Sequence, residues 1–595
     1  MENPSDRETS ALVASNEYLN REVARLESER DALERELRRV TGGYGWKVIG
    51  AYRRWLVRHK ANPLVKFCEW LTMRMLARSY GEEEQDPERR YQKWIAAQEL
   101  TPERLDAIAE AMAGFAYRPL ISVCIAAPDD TNDQLVRAAV DSMRSQLHDH
   151  WELCVEGGKQ THSASDPDAR IVERPSSASE FAVFLPPDGA FSRDALFAVV
   201  QQLNRYRDAD LIYWDEDRLG ANAARYAAFF KPDWSPDLIL STNYIGRSFA
   251  VRRSLVDAID SIGSNGFDLV LRACERARAI IHIAKILYHA REAESPANDT
   301  HAVEAALRRQ GIGAKVETSK SGSHFVRYEI RDHPMVSVLI PTRDRLELLQ
   351  KCIESILGKT DYDNYEIIIL DNDSGEPDTL RYFEQMRDKV RVVRCPGPFN
   401  FSAINNRGVA EARGHFIVFL NNDTEVIRPD WMRALLEHAQ RPEVGAVGAK
   451  LLFPDGRIQH AGVVLGIEGT VAHAFRLMPS DSPMLANVVR NCSAVTAACM
   501  MMRRSLFEEV GRLDEALPID YNDIDLCLRL RRRGLLIVYT PLALLYHHES
   551  ASRQPYRSQP YRELFMSRWG RDIMRGDPYY NRNLTLARDD WSVAI

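Results

Sequence analysis

The sequence predicts an α/β protein: two tandem, mostly parallel-sheet domains behind an N-terminal coiled coil. Three observations carry this. Short β-branched runs alternate with helix-length amphipathic segments, the pattern of a sheet crossed over by helices. Six short motifs recur in the same order along the chain, which marks a duplication. Near the start, Leu12, Leu19, Leu26, Leu33 and Val40 recur every seven residues, which marks a heptad seam.

The seam places Asn16, Val23, Arg30 and Leu37 at its second core position and Glu22, Glu27, Glu29 and Glu34 on its polar faces. A homodimer through residues 1–41 is the expectation, and a lone solvated helix is the alternative. A basic aromatic stretch follows. Residues 41–79 hold 8 basic and 1 acidic side chains, net +7, interleaved with Trp46, Tyr52, Trp55, Phe67 and Trp70. Rings and cations in this mixture suit a membrane surface; a basic amphipathic helix packed on the protein is the alternative. Residues 42–100 are therefore set apart as a basic amphipathic helical segment, ahead of domains at 101–330 and 331–595.

The 595-residue chain as a whole has a formal charge of −7, so no nucleic-acid partner is expected. Its nine cysteines form no CxxC, which argues against a disulfide framework and for a reducing cytoplasm. There is no run of about 18 apolar residues, and the start, Met1-Glu-Asn-Pro, carries no apolar core. The expected location is cytoplasmic, peripheral on the inner face of the cytoplasmic membrane.

In the second half, strands are expected at 335–341, 365–370, 390–394, 415–420 and 444–452. Helices are expected at 346–357, 378–386, 402–413 and 430–440, the last with Asp430 as N-cap. Ligands on such sheets sit beyond the carboxyl ends of the strands. That rule singles out Pro341–Asp344, Asp371–Ser374 and Asn421–Thr424. A carboxylate leaving a buried strand is costly without a partner, and a hard divalent cation would be one for Asp423. A plain turn is the alternative, and it applies equally to the acidic loop at Asp371. Asn522-Asp523-Ile-Asp525 opens a helix, where acids either complement the dipole or supply a general base. His547 follows an apolar run and is either structural or part of an Asp/His metal site. Neither a GxGxxG nor a GxxxxGK[ST] motif is present.

Taken together, these motifs resemble family 2 glycosyltransferases of the GT-A, Rossmann-like fold. The residues are Val338-Leu-Ile-Pro-Thr-Arg343, Asp371-Asn372 before Ser374, Leu420-Asn-Asn-Asp423, Asn522-Asp523-Ile-Asp525 and His547-x-x-Ser550-x-Ser552. Phe229-Phe-Lys-Pro-Asp-Trp-Ser-Pro236 and Ile458-Gln-His-Ala-Gly462 resemble a subgroup that makes bacterial O-antigen and capsule polysaccharides, rhamnosyltransferase-like proteins included. The resemblance implies that Pro341, Thr342 and Arg343 line a nucleotide pocket and that Asp371 holds the base or ribose. It adds Asp373, Asn405, Asn406, Asn422 and Asp525 to the substrate-binding set. Asp423 and His547 would be ligands to Mg2+ or Mn2+, and Asp523 the catalytic base of an inverting transfer. Where the family's motif often opens with an aspartate, Asn421 stands here, leaving one carboxylate at the metal. The implied partners are a nucleotide-sugar donor and a glycan or polyprenyl-linked acceptor.

The first half lacks this chemistry. Glu156-Gly157 stands where Asp371-Asn372 stands, Pro186-Pro-Asp188 where Asn421-Asn-Asp423 stands, and Gly266 where Asp523 stands. The shorter spacing from Glu156 to Asp188 points to a missing strand–helix segment, the one that holds Asn405-Asn406. Residues 119–295 are therefore expected not to transfer sugar, and the acidic run Tyr213-Trp-Asp-Glu-Asp217 to be a solvated loop. Two other readings compete: a metal-dependent nucleotidyltransferase, and a non-catalytic membrane-associated scaffold for glycan assembly.

Overall fold

The computed structural model describes residues 86–595, apart from 129–130, 158–167, 173, 221, 260–265, 292–298, 483 and 549–558. The heptad seam and the basic stretch at 41–79 lie outside the described residues.

Val336–Thr342 is buried at every position, as a strand covered on both faces must be. Alternate residues serve opposite faces: Leu339, Ile368 and Phe419 enter one apolar core, while Val338, Ile369 and Val418 enter the other. Across this sheet the order is Arg391–Arg394, Tyr365–Asp371, Val336–Thr342, Phe416–Leu420, Cys499–Arg503, Val444–Leu452, Leu536–His547, Thr424–Val426. The first sheet repeats that order with shorter strands: Ile171–Val172, Trp151–Glu156, Ile121–Ala126, Phe181–Phe184, Phe249–Arg252, Leu211–Leu219, Ile280–Ala290, Gly189–Phe191. The duplication read from six motifs is thus a duplication of topology.

The sheets are mixed rather than mostly parallel. Cys499–Arg503 and Phe249–Arg252 each run antiparallel to both neighbours. Val444–Leu452 reaches Cys499–Arg503 through short strands and turns, and an antiparallel pair needs no helical crossover. The helices fall as expected, at Leu346–Lys359, Pro377–Met386, Phe401–Glu411 and Trp431–Ala439. Asp430, however, does not cap the last one through its side chain; Arg428 at 3.0 Å and Arg327 at 3.1 Å take its carboxylate.

Among the described residues, the corresponding stretch of the first half keeps a strand and shows no helix. Between Trp151–Glu156 and Phe181–Phe184 the described residues form only the two-residue strand Ile171–Val172. The second half has Pro377–Met386 and Phe401–Glu411 in the corresponding stretch. The edge strand survives, and the helix that would carry asparagines has no counterpart among those residues.

The acidic run 213–217 is no solvated loop. It belongs to the interior strand Leu211–Leu219, with Asp215 and Asp217 almost fully buried. Buried carboxylates need donors, and these have them. Asp215 accepts from Lys231 N (2.8 Å), His282 Nε2 (2.9 Å) and Asn581 Nδ2 (2.9 Å). Asp217 accepts from Arg225 Nε (2.6 Å) and the Tyr91 hydroxyl. The run therefore ties the C-terminal tail and the helix Pro87–Ala97 to the first sheet. That helix is the described end of the 42–100 segment, and it packs Tyr91 and Trp94 against Phe230. The Phe229–Pro236 motif joins the halves: Ser235 Oγ donates to Asn491 Oδ1 (2.8 Å), and just beyond it Asp237 pairs with Arg441 (2.5 Å).

Candidate active site

Three strands end side by side: Val336–Thr342 lies between Tyr365–Asp371 and Phe416–Leu420, parallel to both. Their polar ends are bonded to one another. Asn422 Nδ2 donates to Thr342 Oγ1 at 2.9 Å, and Asn372 N donates to Thr342 O at 2.8 Å. Asp344 Oδ1 accepts from Gly375 N (2.9 Å) and Glu376 N (2.8 Å), while Ser374 Oγ accepts from Asp344 N (2.8 Å). Asp344, Arg345 and Asp373 all have positive φ, so this rim is held in a backbone conformation that side chains resist. Pro341 and Thr342 are buried at the rim, and Arg343 is exposed on it.

Asp371 is fully buried; Oδ1 accepts from Ser374 N (2.9 Å), and Oδ2 pairs with Arg394, which is itself mostly exposed. Asp373 Oδ2 accepts from Gly397 N at 2.9 Å. Asn372 reaches Cys395 O and Gly397 O with its amide nitrogen. The loop Asp371–Ser374 is thereby fixed to Arg394 and the segment after it.

The second group lies at the far strand ends. Asp423 Oδ1 is 3.1 Å from His547 Nε2, and Asn421 Nδ2 is 3.1 Å from the same nitrogen. On the other side of the ring, His547 Nδ1 meets Gln459 Oε1 at 2.6 Å. Asp423 and His547 come together because Thr424–Val426 pairs antiparallel with the end of Leu536–His547. Among the described residues no group of three or more His, Cys, Asp and Glu side chains gathers as a metal site would. The pair present is one carboxylate oxygen and one imidazole nitrogen, a donor set that Mg2+ or Mn2+ accepts when substrate oxygens and water complete it.

Asp523 stands in the first turn of the helix Asn522–Arg532, after Tyr521 in the left-handed region. It is partly exposed, with Oδ2 accepting from Ala497 N (3.0 Å) and Oδ1 from Ile524 N (2.9 Å). The next residue, Ala498, accepts through its carbonyl from Asn421 N at 3.1 Å. Two consecutive residues of one loop therefore anchor the helix-start carboxylate and the Asn421–Asp423 segment together.

Asn405, Asn406 and Asp525, expected to bind substrate, each also bond to the protein. Asn405 is fully buried and donates to Phe401 O one turn back (2.8 Å). Asn406 donates to Leu513 O (2.9 Å) and accepts from Leu513 N (3.1 Å). Their helix sits so close to Tyr365–Asp371 that a Cβ at Gly408 would meet Leu370 Cδ1 at 2.6 Å. Asp525 is buried between Trp569 Nε1 (2.9 Å) and Arg529 Nε (2.8 Å). Asn406 and Asp525 share a depression with residues 510–515, which does not include Asp523.

Gln459 and His460 are the residues that sequence reasoning left without a role. Their motif was legible, but nothing in it revealed which side chains they touch. His460 is buried beside His473 (2.7 Å between Nδ1 atoms), and burial, then the charges of His473, Arg490 and His547, push its pKa far below the usual imidazole range. A cavity of about 590 Å³ between the halves is lined by Trp234 of the Phe229–Pro236 motif with Ile239, Leu271, Tyr328 and Arg441, and contains none of the residues expected to bind donor, metal or acceptor.

The first half keeps the aspartate and the histidine but gives them other partners. Asp188 pairs with Arg247 at 2.6 Å, and His289, the counterpart of His547, pairs with Asp217 at 2.5 Å. Glu156 is exposed. A Cβ at Gly266 would meet nothing within 4 Å, so packing does not exclude a carboxylate there.

The family model described as glycosyl transferase family 2 matches residues 337–511. The Sinorhizobium fredii protein y4gI is 39% identical over 531 residues, covering 80% of this chain and 58% of that one. O-antigen biosynthesis protein RfbC of Myxococcus xanthus is 36% identical over 551 residues, covering 84% of this chain and 43% of that one. The chain thus spans about half the length of these two relatives. N-acetylglucosaminyl-diphospho-decaprenol L-rhamnosyltransferase of Mycobacterium tuberculosis is 32% identical over 216 residues, covering 31% of this chain and 67% of that one.

Proposed function

The chain belongs to glycosyltransferase family 2, and on that premise we propose that its second half is an inverting GT-A transferase. It moves a sugar from a nucleotide-sugar donor to a glycan or polyprenyl-linked acceptor of a bacterial surface polysaccharide. The observation that carries the reading is the loop at Ala497-Ala498, which holds Asp523 and the Asn421–Asp423 segment through adjacent residues.

The proposed roles are these. The rim at Pro341, Thr342, Arg343, Asp371, Asp373 and Asn422 receives the nucleotide. Asp423 and His547 would hold Mg2+ or Mn2+, which when bound supplies positive charge beside the diphosphate. Asp523 takes the proton of the acceptor hydroxyl as that oxygen attacks the anomeric carbon. The bond from that carbon to the diphosphate breaks, its electron pair leaves with the nucleoside diphosphate, and the configuration inverts. The backbone amides of Ala497 and Ile524 hold the carboxylate in place, so little reorganisation is needed in the transition state. One base on one face suffices.

The similarity to an O-antigen protein and to a polyprenyl-linked rhamnosyltransferase supports the acceptor class and a deoxyhexosyl or hexosyl donor. Among the described residues no helix is long and apolar enough to cross a membrane. Action at the inner membrane surface, and dimerisation through residues 1–41, are part of the proposal.

The test is Asp523→Asn. With Mn2+ and a panel of UDP-, GDP- and dTDP-hexoses, transfer is expected to fall about 10²–10⁴-fold while donor binding stays. Unchanged turnover would remove Asp523 from the mechanism.

A further inference from the structure

The geometry points to Gln459 as a positioning residue that holds His547 in the Nδ1–H tautomer, so that the Nε2 lone pair faces Asp423. This deepens the functional proposal and rests on it only for the purpose the lone pair serves.

The argument begins with the orientation of the Gln459 amide. Gln459 is buried on the strand Ile458–His460, and its side chain meets two atoms of His547. One is the backbone carbonyl oxygen, 3.2 Å from Gln459 Nε2. A carbonyl can only accept, so the NH2 end of the amide must face it. The oxygen end then faces His547 Nδ1, at 2.6 Å. An amide oxygen can only accept, so Nδ1 must carry the proton. In neutral imidazole that leaves Nε2 as the lone-pair nitrogen. The far side of the ring agrees: Asn421 Nδ2, a donor, lies 3.1 Å from Nε2. Asp423 Oδ1 lies 3.1 Å from it as well. Two electron-rich atoms brought this close are the arrangement a cation satisfies, and a histidine with its lone pair presented is a ligand rather than a donor.

Three consecutive features of the chain thus combine. The strand Ile458–His460 pairs with the end of Val444–Leu452, which pairs with Leu536–His547, so Gln459 is carried to His547 by sheet register. The amide contacts both the ring and the backbone of one residue and so sets the rotation of the ring as well as its proton. In the first half the acceptor on the corresponding ring is a carboxylate instead: His289 offers its Nδ1 to Asp217, within the network that Asp217 shares with Arg225 and Tyr91.

The test uses full-length protein carrying 15N-histidine, with the His547 signal assigned by its loss in His547→Gln. In metal-free protein at about pH 8, where ordinary imidazole is neutral, the wild-type spectrum should place the proton on Nδ1. Gln459→Leu should shift His547 toward a mixture of tautomers. It should also weaken Mn2+ binding, measured by calorimetry, by about 10–100-fold. Gln459→Glu, which still accepts from Nδ1–H but loses the donor to the His547 carbonyl, should keep the tautomer and bind Mn2+ more tightly than Gln459→Leu. Thermal melts and far-UV circular dichroism of each variant report whether it is folded. Wild-type protein with its proton on Nε2, or a folded Gln459→Leu with unchanged tautomer and unchanged Mn2+ affinity, would overturn the inference. Wild-type protein that shows the Nδ1 proton and binds no Mn2+ would support the positioning role and refute the metal reading instead.

Discussion

Ser122 in the first sheet and Ser337 in the second each donate a hydroxyl to a glutamate on the neighbouring strand, Glu152 and Glu366. Arg252 and Arg503 each clamp carbonyl oxygens at the end of a helix or the turn after it: Arg207 O and Ala209 O in one half, Ala439 O and Arg441 O in the other. Asp268 and Asp525 each pair with an arginine one turn along the same helix. The motifs that the halves share are therefore bonds that build the sheet and its helices. What differs is the helix-start acid and the setting of the retained groups: Gly266 stands against Asp523 and Pro186 against Asn421, while the aspartate and histidine are kept, Asp188 bonded to Arg247 and His289 to Asp217 where Asp423 lies beside a His547 bonded to Gln459. A duplicated half can lose its reaction and keep its fold because the two depend on different side chains. The same comparison explains Asp525. A residue retained with its arginine where the base has gone serves the scaffold.

The comparison can be strained at the buried acids of the first half. Asp215→Ala would leave Lys231 N, His282 and Asn581 without their acceptor in the interior, at a cost of about 3–5 kcal/mol. Chemical denaturation should show that loss, while donor turnover per folded molecule stays as in wild type. A matching fall in turnover would mean that the first half takes part in the reaction.

The boundary between the halves offers a second test, through pH. His438 is fully buried beside Arg441 and Asp237; burial first, then the Arg441 charge, lowers its pKa from 6.5 to about 3. The folded protein therefore keeps His438 neutral where the unfolded chain would take up a proton. Stability from this group is complete above pH 6.5 and is lost as pH falls from 6.5 toward about 3, with a slope of about 1.4 kcal/mol per pH unit. The stability difference between wild type and His438→Leu should show that slope in this window. A flat difference would contradict the assignment.

The mildest test addresses the shared scaffold. Ser122→Ala should cost about 1.5 kcal/mol and Ser337→Ala somewhat more, because the Ser337 hydroxyl also accepts from Gly414 N (2.8 Å), both without effect on kcat. A large asymmetry, read from melting of the two variants, would mean that the matched bonds do different work.

Much of this was legible in the chain. The apolar run before Asn421 and the β-branched run Tyr365–Leu370 located strands because burial on both faces demands such residues, and the six motifs located the duplication. What could not be read was tertiary choice. The strand Cys499–Arg503 runs antiparallel to both neighbours, a feature of the chain's path rather than of local pattern. The run Tyr213–Asp217 looked solvated because its partners, Asn581, His282 and Tyr91, lie far along the sequence. Asn405, Asn406 and Asp525 matched a family's pattern, yet bond to Phe401, Leu513 and Trp569. Gln459 carried a visible motif whose meaning depended on which face of His547 it meets.

The central claim is that the metal-binding and catalytic positions work in one half only. The direct measurement is donor turnover, with Mn2+ and the nucleotide-hexose panel, in Asp423→Ala and Asp188→Ala compared side by side per folded molecule. The account predicts a loss of about 10²-fold or more for Asp423→Ala and a rate within about twofold of wild type for Asp188→Ala. Equal losses in the two variants, or a loss confined to Asp188→Ala, would contradict it.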